Sequence, residues 1–110
     1  MKMLNIIFHK DFYSSSYSED AAAVPGRMES IINYINDNTD YAIVTPSPAE
    51  VRDILAVHTQ DRFDEVMSNQ PLFHTAMLSA GGAIKASQYA MQGIPAFAAI
   101  RPPGHHAGIK

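Results

Sequence analysis

The sequence predicts an α/β protein built on a parallel sheet, and three observations carry that expectation. Three short runs are apolar without alternating with polar residues, which is the pattern of strands covered by helices on both faces. Helical spacings fill the stretches between them. The elements follow the order β-α-β-α-α-α-β, which favours parallel strands joined by helical crossovers.

Leu4 to Phe8 forms the first strand, and the segment from Lys10 to Val24 reads as a long surface loop. Its Ser14-Ser15-Ser16 run, two tyrosines and the acidic pair Glu19-Asp20 are the reasons. Met28, Ile31, Ile32 and Ile35 are spaced for one helical face, with Pro25 near the start. Tyr41 to Val44 is the second strand. Ser47-Pro48-Ala49-Glu50 has the form of a capping box with proline at the first helical position, followed by a Val51, Ile54, Leu55 stripe. After Thr59, the residues Phe63, Val66 and Met67 mark a third helix, with Asp61 and Asp64 flanking Phe63. A long helix is expected from about Phe73 to Gln92, presenting Met77, Ala80, Ile84 and Met91 on one face. Gly93 stops it and Pro95 lies just beyond. Ala96 to Ile100 is the third strand. Three short strands are too little sheet to cover these helices, so the chain reads as part of a larger sheet. Neither an internal repeat nor a domain linker is evident.

Composition excludes several classes of function. A chain of 110 residues with 46% hydrophobic and 17% charged residues is globular and supports one domain. The formal charge of −3 leaves no basic footprint for nucleic acid. Without cysteine, neither a disulfide framework nor a thiolate zinc site is available. No apolar stretch approaches the roughly 18 residues of a membrane span, and the N-terminus lacks the pattern of a signal peptide. A soluble, cytoplasmic protein with no membrane partner is expected.

The most informative stretch is Arg101-Pro102-Pro103-Gly104-His105-His106-Ala107, directly after the third strand. In open α/β sheets, ligands bind at the carboxyl ends of the strands. Adjacent histidines in a regular strand would point to opposite faces. The Pro-Pro-Gly break permits a turn in which both imidazoles converge, and imidazole exchanges protons near neutral pH. One ring can then deprotonate a water while its neighbour stabilises charge or protonates a leaving group. A surface turn is the plain alternative for any His-His pair.

His9, His58 and His74 are isolated in the sequence and read as structural or surface residues. Gly81-Gly82 lies mid-helix without the pattern of a nucleotide-binding turn, and reads as a site of close helix packing. Glu19-Asp20 would suit a cationic substrate or simply a solvated loop. The methionines read as core filling.

The heptapeptide closely resembles the signature of the zinc-dependent histone deacetylase superfamily, which includes acetylpolyamine amidohydrolases and acetoin-utilisation proteins. Other segments resemble that superfamily in the same order. They are Ile6-Ile7-Phe8-His9, Val24-Pro25-Gly26-Arg27-Met28-Glu29-Ser30-Ile31, Val57-His58-Thr59 with Phe63, and Ser79-Ala80-Gly81-Gly82-Ala83. The resemblance implies a three-layer, parallel-sheet arginase/deacetylase-like fold, with residues 1–110 an incomplete N-terminal portion of one domain. It implies zinc-dependent hydrolysis of acetylated amines such as acetyl-lysine or acetylpolyamine. Carried over by position, His106 is the general base and His105 its electrostatic or acid partner. Pro102, Pro103 and Gly104 shape the turn, and Arg101 is structural. The superfamily's zinc ligands, two aspartates and a histidine, lie downstream of the tandem pair, as do its oxyanion tyrosine and the aspartates that orient the pair. No metal ligand and no zinc are therefore expected for this chain alone. The alternative is a non-catalytic portion of the fold that pairs with a complementary chain or self-associates, as a homo-oligomer, through its C-terminal edge.

Overall fold

A computed structural model describes residues 4–13 and 25–102. The Ser14-Ser15-Ser16 run, Glu19-Asp20, and the stretch holding Pro103, Gly104, His105 and His106 lie outside the described residues. The strands are β1 (Asn5–Ile7), β2 (Ala42–Val44) and β3 (Ala96–Ala98), and the helices are α1 (Arg27–Asn38), α2 (Val51–Leu55), α3 (Gln60–Met67) and α4 (Gln70–Met91). Their order is the expected one. All pairing is parallel, in the spatial order β2-β1-β3, with Ile6 in register with both Ile43 and Phe97.

Successive residues of a strand point to opposite faces, and both faces of β1 are covered. Ile6 clusters with Met28 and Ile32 of α1. Ile7, on the other face, lies against α4, where a side chain at Gly82 would come within 3.6 Å of it. Ile6 and Ile7 are 2% and 0% exposed. The outer strands differ from the expectation. Ile43 is 39% exposed and Phe97 59% exposed, because the sheet has only one central strand to shelter.

The four helices begin and end on local chemistry. Thr39 closes α1, its backbone N–H and hydroxyl both donating to the Ile35 carbonyl. Thr59 caps α3 by accepting from the Arg62 N–H at 3.2 Å, and Asn69 caps α4 by accepting from Leu72 at 3.3 Å. Gly93 ends α4 at φ 75°, a left-handed conformation suited to glycine.

Three local expectations are corrected. The capping box lies three residues later than Ser47, at Glu50, whose N–H donates to the Asp53 carboxylate at 3.0 Å. Residues 47–49 are instead drawn onto α4. The Ala49 N–H donates to the Met77 carbonyl at 2.9 Å, so helix geometry cannot start there. The expected surface loop begins with a 3-10 turn, Lys10–Tyr13, whose Phe12 is wholly buried and meets Phe8 edge to face at 5.9 Å. The long helix starts at Gln70 rather than Phe73, and Met91 in its last turn is 89% exposed. A 22-residue helix is about 33 Å long, whereas a three-residue strand spans about 10 Å. The last turn has therefore outrun the sheet.

The second packing centre is smaller. Ala49, Phe63 and Met77 form it, joined by Ile54, Phe73, Ala80 and Ile84, and it ties α2 and α3 to the outer side of α4.

Candidate functional site

The carboxyl ends of β1 and β3 lie side by side, and the chain is held tightly where it leaves them. After β1, the Phe12 N–H donates to the His9 carbonyl and closes the 3-10 turn. After β3, the Ala99 N–H donates to the Ile7 carbonyl. Arg101 is 5% exposed and reaches across to that turn. Its Nε donates to the Phe12 carbonyl at 2.5 Å and its Nη2 to the Tyr13 carbonyl at 2.6 Å. Pro102, joined to Arg101 by a cis peptide, has its carbonyl held by the Ser79 hydroxyl at 2.8 Å. Arg101 thus serves structure, as its position in the motif implies. The expected catalytic residues His105 and His106 and the turn residues Pro103 and Gly104 follow this anchor, outside the described residues.

His9 and His74 are isolated in the sequence, yet in the fold both converge on Asp11. His74 Nε2 lies 2.7 Å from Asp11 Oδ2 and His9 Nδ1 lies 3.7 Å from it. The Asp11 N–H donates to His9 Nδ1 at 3.0 Å, so that nitrogen is an acceptor. The hydrogen bond from His74 holds the Asp11 carboxyl below its ordinary value; partial desolvation opposes it, and positive charge nearby, that of Lys10 included, acts in the same direction as the bond. This pairing joins the 3-10 turn to α4. The His9/Asp11 spacing is visible in the sequence, but His74 is 63 residues away and carries no local signal.

His58 occupies a third position. A cavity of about 400 Å³ opens between the α2–α3 turn, α3, α4 and the Ile100–Pro102 segment. Its walls include Phe63 and Phe73, which meet edge to face at 5.7 Å. His58 lines it, and the Nδ1 of that ring is buried without a hydrogen-bond partner.

Small residues let α4 approach everything around this region. A Cβ at Gly81 would fall 1.8 Å from the Ser47 carbonyl oxygen, and one at Gly82 would fall 2.8 Å from Ile100 Cγ2. The glycine pair therefore serves close packing, as its mid-helix position suggests.

Among the described residues, no group of three or more histidine or acidic side chains is placed to hold a metal ion. The described part does not by itself fit a zinc centre. Nor is any helix among those residues long and apolar enough to cross a membrane.

Comparison with known proteins gives the closing observation. The chain is similar to two archaeal proteins named probable deacetylase. The one from Archaeoglobus fulgidus is 32% identical over 123 residues, covering 93% of this chain and 34% of the relative. The one from Methanothermobacter thermautotrophicus is 30% identical over 120 residues, covering 93% of this chain and 36% of the relative. The chain thus spans about a third of the length of the curated relatives it matches. No family model matches the chain.

Proposed function

We propose that this chain carries the tandem-histidine portion of a deacetylase-type amidohydrolase acting on acetylated amines. The observation that carries the reading is the heptapeptide Arg101–Ala107 at the carboxyl end of β3, in a chain similar throughout to proteins named probable deacetylase. In this reading His106 takes a proton from the attacking water, and His105 stabilises the developing charge or protonates the departing amine. Arg101 and Ser79 hold the Arg101–Pro102 step that precedes the pair in the chain. Zinc, in the superfamily that the motif resembles, polarises the acetyl carbonyl and the water. Its expected ligands lie downstream of His106, so no step through the metal is assigned to residues of this chain.

The test compares two polypeptides, these 110 residues and a version extended downstream to the length of the relatives. The extended protein is expected to release acetate from acetyl-lysine peptide or acetylpolyamine, and to lose that activity on chelation. The 110-residue chain is expected to show none. An extended, folded protein inactive on both substrates, with zinc supplied, would overturn the reading. A metal measurement adds to it. Dialysed against a weak chelator, the 110-residue chain is expected to retain well under one zinc per molecule. A full equivalent would make His105 and His106 ligands rather than proton carriers.

A second reading, a non-catalytic portion that self-associates, draws on the exposure of Phe97 and Ile43 on the outer strands. Edge strands with exposed apolar side chains favour pairing between copies. It predicts a homo-oligomer through the C-terminal edge and no hydrolysis by the extended protein.

A further inference from the structure

We infer that Ser79 is a positioning residue for the hydrolysis proposed above, acting through the Pro102 carbonyl on the histidines that follow it in the chain; the inference rests on that functional reading. Three serine or threonine hydroxyls lie on α4, at Thr75, Ser79 and Ser87. Inside a helix such hydroxyls commonly donate back to a carbonyl of the preceding turn. Thr75 does so to Pro71 at 3.0 Å, and Ser87 to Ala83 at 2.9 Å. Ser79 departs from that pattern. The residue is 7% exposed, and its hydroxyl donates to the Pro102 carbonyl at 2.8 Å, in a segment 23 residues away.

The donor is itself held in place. The Met77 carbonyl accepts the Ala49 N–H at 2.9 Å, and Gly81 packs against the backbone of residues 47–49. Gly82 lies so near Ile100, two residues before Pro102, that a Cβ there would fall 2.8 Å from Ile100 Cγ2. This stretch of α4 cannot shift without breaking those contacts. The bond also acts on the torsion that matters. Proline fixes its own φ at about −65°, so the soft backbone torsion of Pro102 is ψ. That angle sets both where the carbonyl points and where the chain goes next. By holding the carbonyl oxygen, Ser79 holds ψ of a residue four positions ahead of His106. Arg101 fixes the preceding residue to the carbonyls of Phe12 and Tyr13 but makes no bond to the Pro102 carbonyl. Groups that do chemistry need such supporting bonds to stay in productive geometry.

The experiment uses the polypeptide extended to the length of the relatives, with Ser79→Ala, Ser79→Thr and Ser87→Ala variants of it. Acetate release is measured on the better of the acetyl-lysine peptide and acetylpolyamine, at matched zinc supply and per folded molecule as counted by circular dichroism. Ser79→Ala is expected to lower kcat about tenfold with KM unchanged, because a misplacement of about 1 Å can cost about a hundredfold and Arg101 still holds its part. Ser79→Thr keeps the donor and should recover most of that loss. Ser87→Ala makes the same change on the same helix and should leave kcat as it was. Parental kcat in Ser79→Ala would overturn the inference while leaving the functional reading intact. A rise in KM without a fall in kcat would overturn it too, by making Ser79 a substrate contact. If Ser79→Ala fails to fold, or its loss vanishes once folded molecules are counted, Ser79 is structural and the inference falls. An inactive parent would remove the functional reading, and the inference with it.

Discussion

Arg101 shows how one side chain can fix two segments that the sequence keeps 88 residues apart. Its guanidinium donates to the carbonyls of Phe12 and Tyr13 as the chain leaves β1, the first bond buried and the second partly so, while its Nη1 is buried without a partner. Arg101→Met keeps the length of the side chain and removes both bonds. Chemical denaturation is expected to show a loss of about 1–3 kcal/mol, the cost of leaving the buried Phe12 carbonyl unpaired. A variant as stable as the parent would remove Arg101 from its anchoring role. Asp11 gives the pH-dependent counterpart. Its carboxyl is lowered chiefly by the His74 hydrogen bond, so the folded state favours the ionised form. That contribution is complete above the ordinary carboxylate value and disappears as pH falls through the lowered one. The pair's contribution to stability should therefore be present in full at neutral pH and be lost in acid. In His74→Ala, the Asp11 carboxyl should titrate closer to its ordinary value, as followed by carbon NMR. An unchanged titration would mean that the bond is not the cause.

At the scale of elements, α4 organises the molecule, and its glycines decide how closely it packs. In an exposed helix, glycine to alanine is worth about 1 kcal/mol of stability. At Gly81 the added methyl meets the Ser47 backbone, which cannot move aside as a flexible side chain would. Gly81→Ala is expected to destabilise by about 1–3 kcal/mol, read from the denaturation midpoint. A stabilised Gly81→Ala protein would mean that the 47–49 segment is not seated on α4. The same contact explains which elements were legible. Strand identities, helix order, the Thr59 start of α3 and the Gly93 stop all follow from local chemistry, and sequence displays local chemistry directly. The Ser47 capping box has equally good local chemistry, but the Ala49–Met77 hydrogen bond overrides it. Phe12 sits next to a serine-rich stretch, so its place in the core depends on Phe8 and α1, which composition does not reveal. The tie between Asp11 and His74 and the cavity beside His58 are likewise products of tertiary packing.

For the whole molecule, three parallel strands leave Phe97 and Ile43 exposed on either side of Ile6. Light scattering coupled to size exclusion is expected to show self-association that grows with concentration, and Phe97→Lys should shift it toward monomer. A strict monomer at high concentration would show that this face needs no cover. The function rests on the residues that follow β3, and the most direct measurement concerns His106. In the polypeptide extended to the length of the relatives, acetate release is measured for the parent and for His106→Ala under the same zinc supply. The predicted result is a loss of about a hundredfold or more with folding intact, the scale of a missing general base. Undiminished release by His106→Ala would contradict the account.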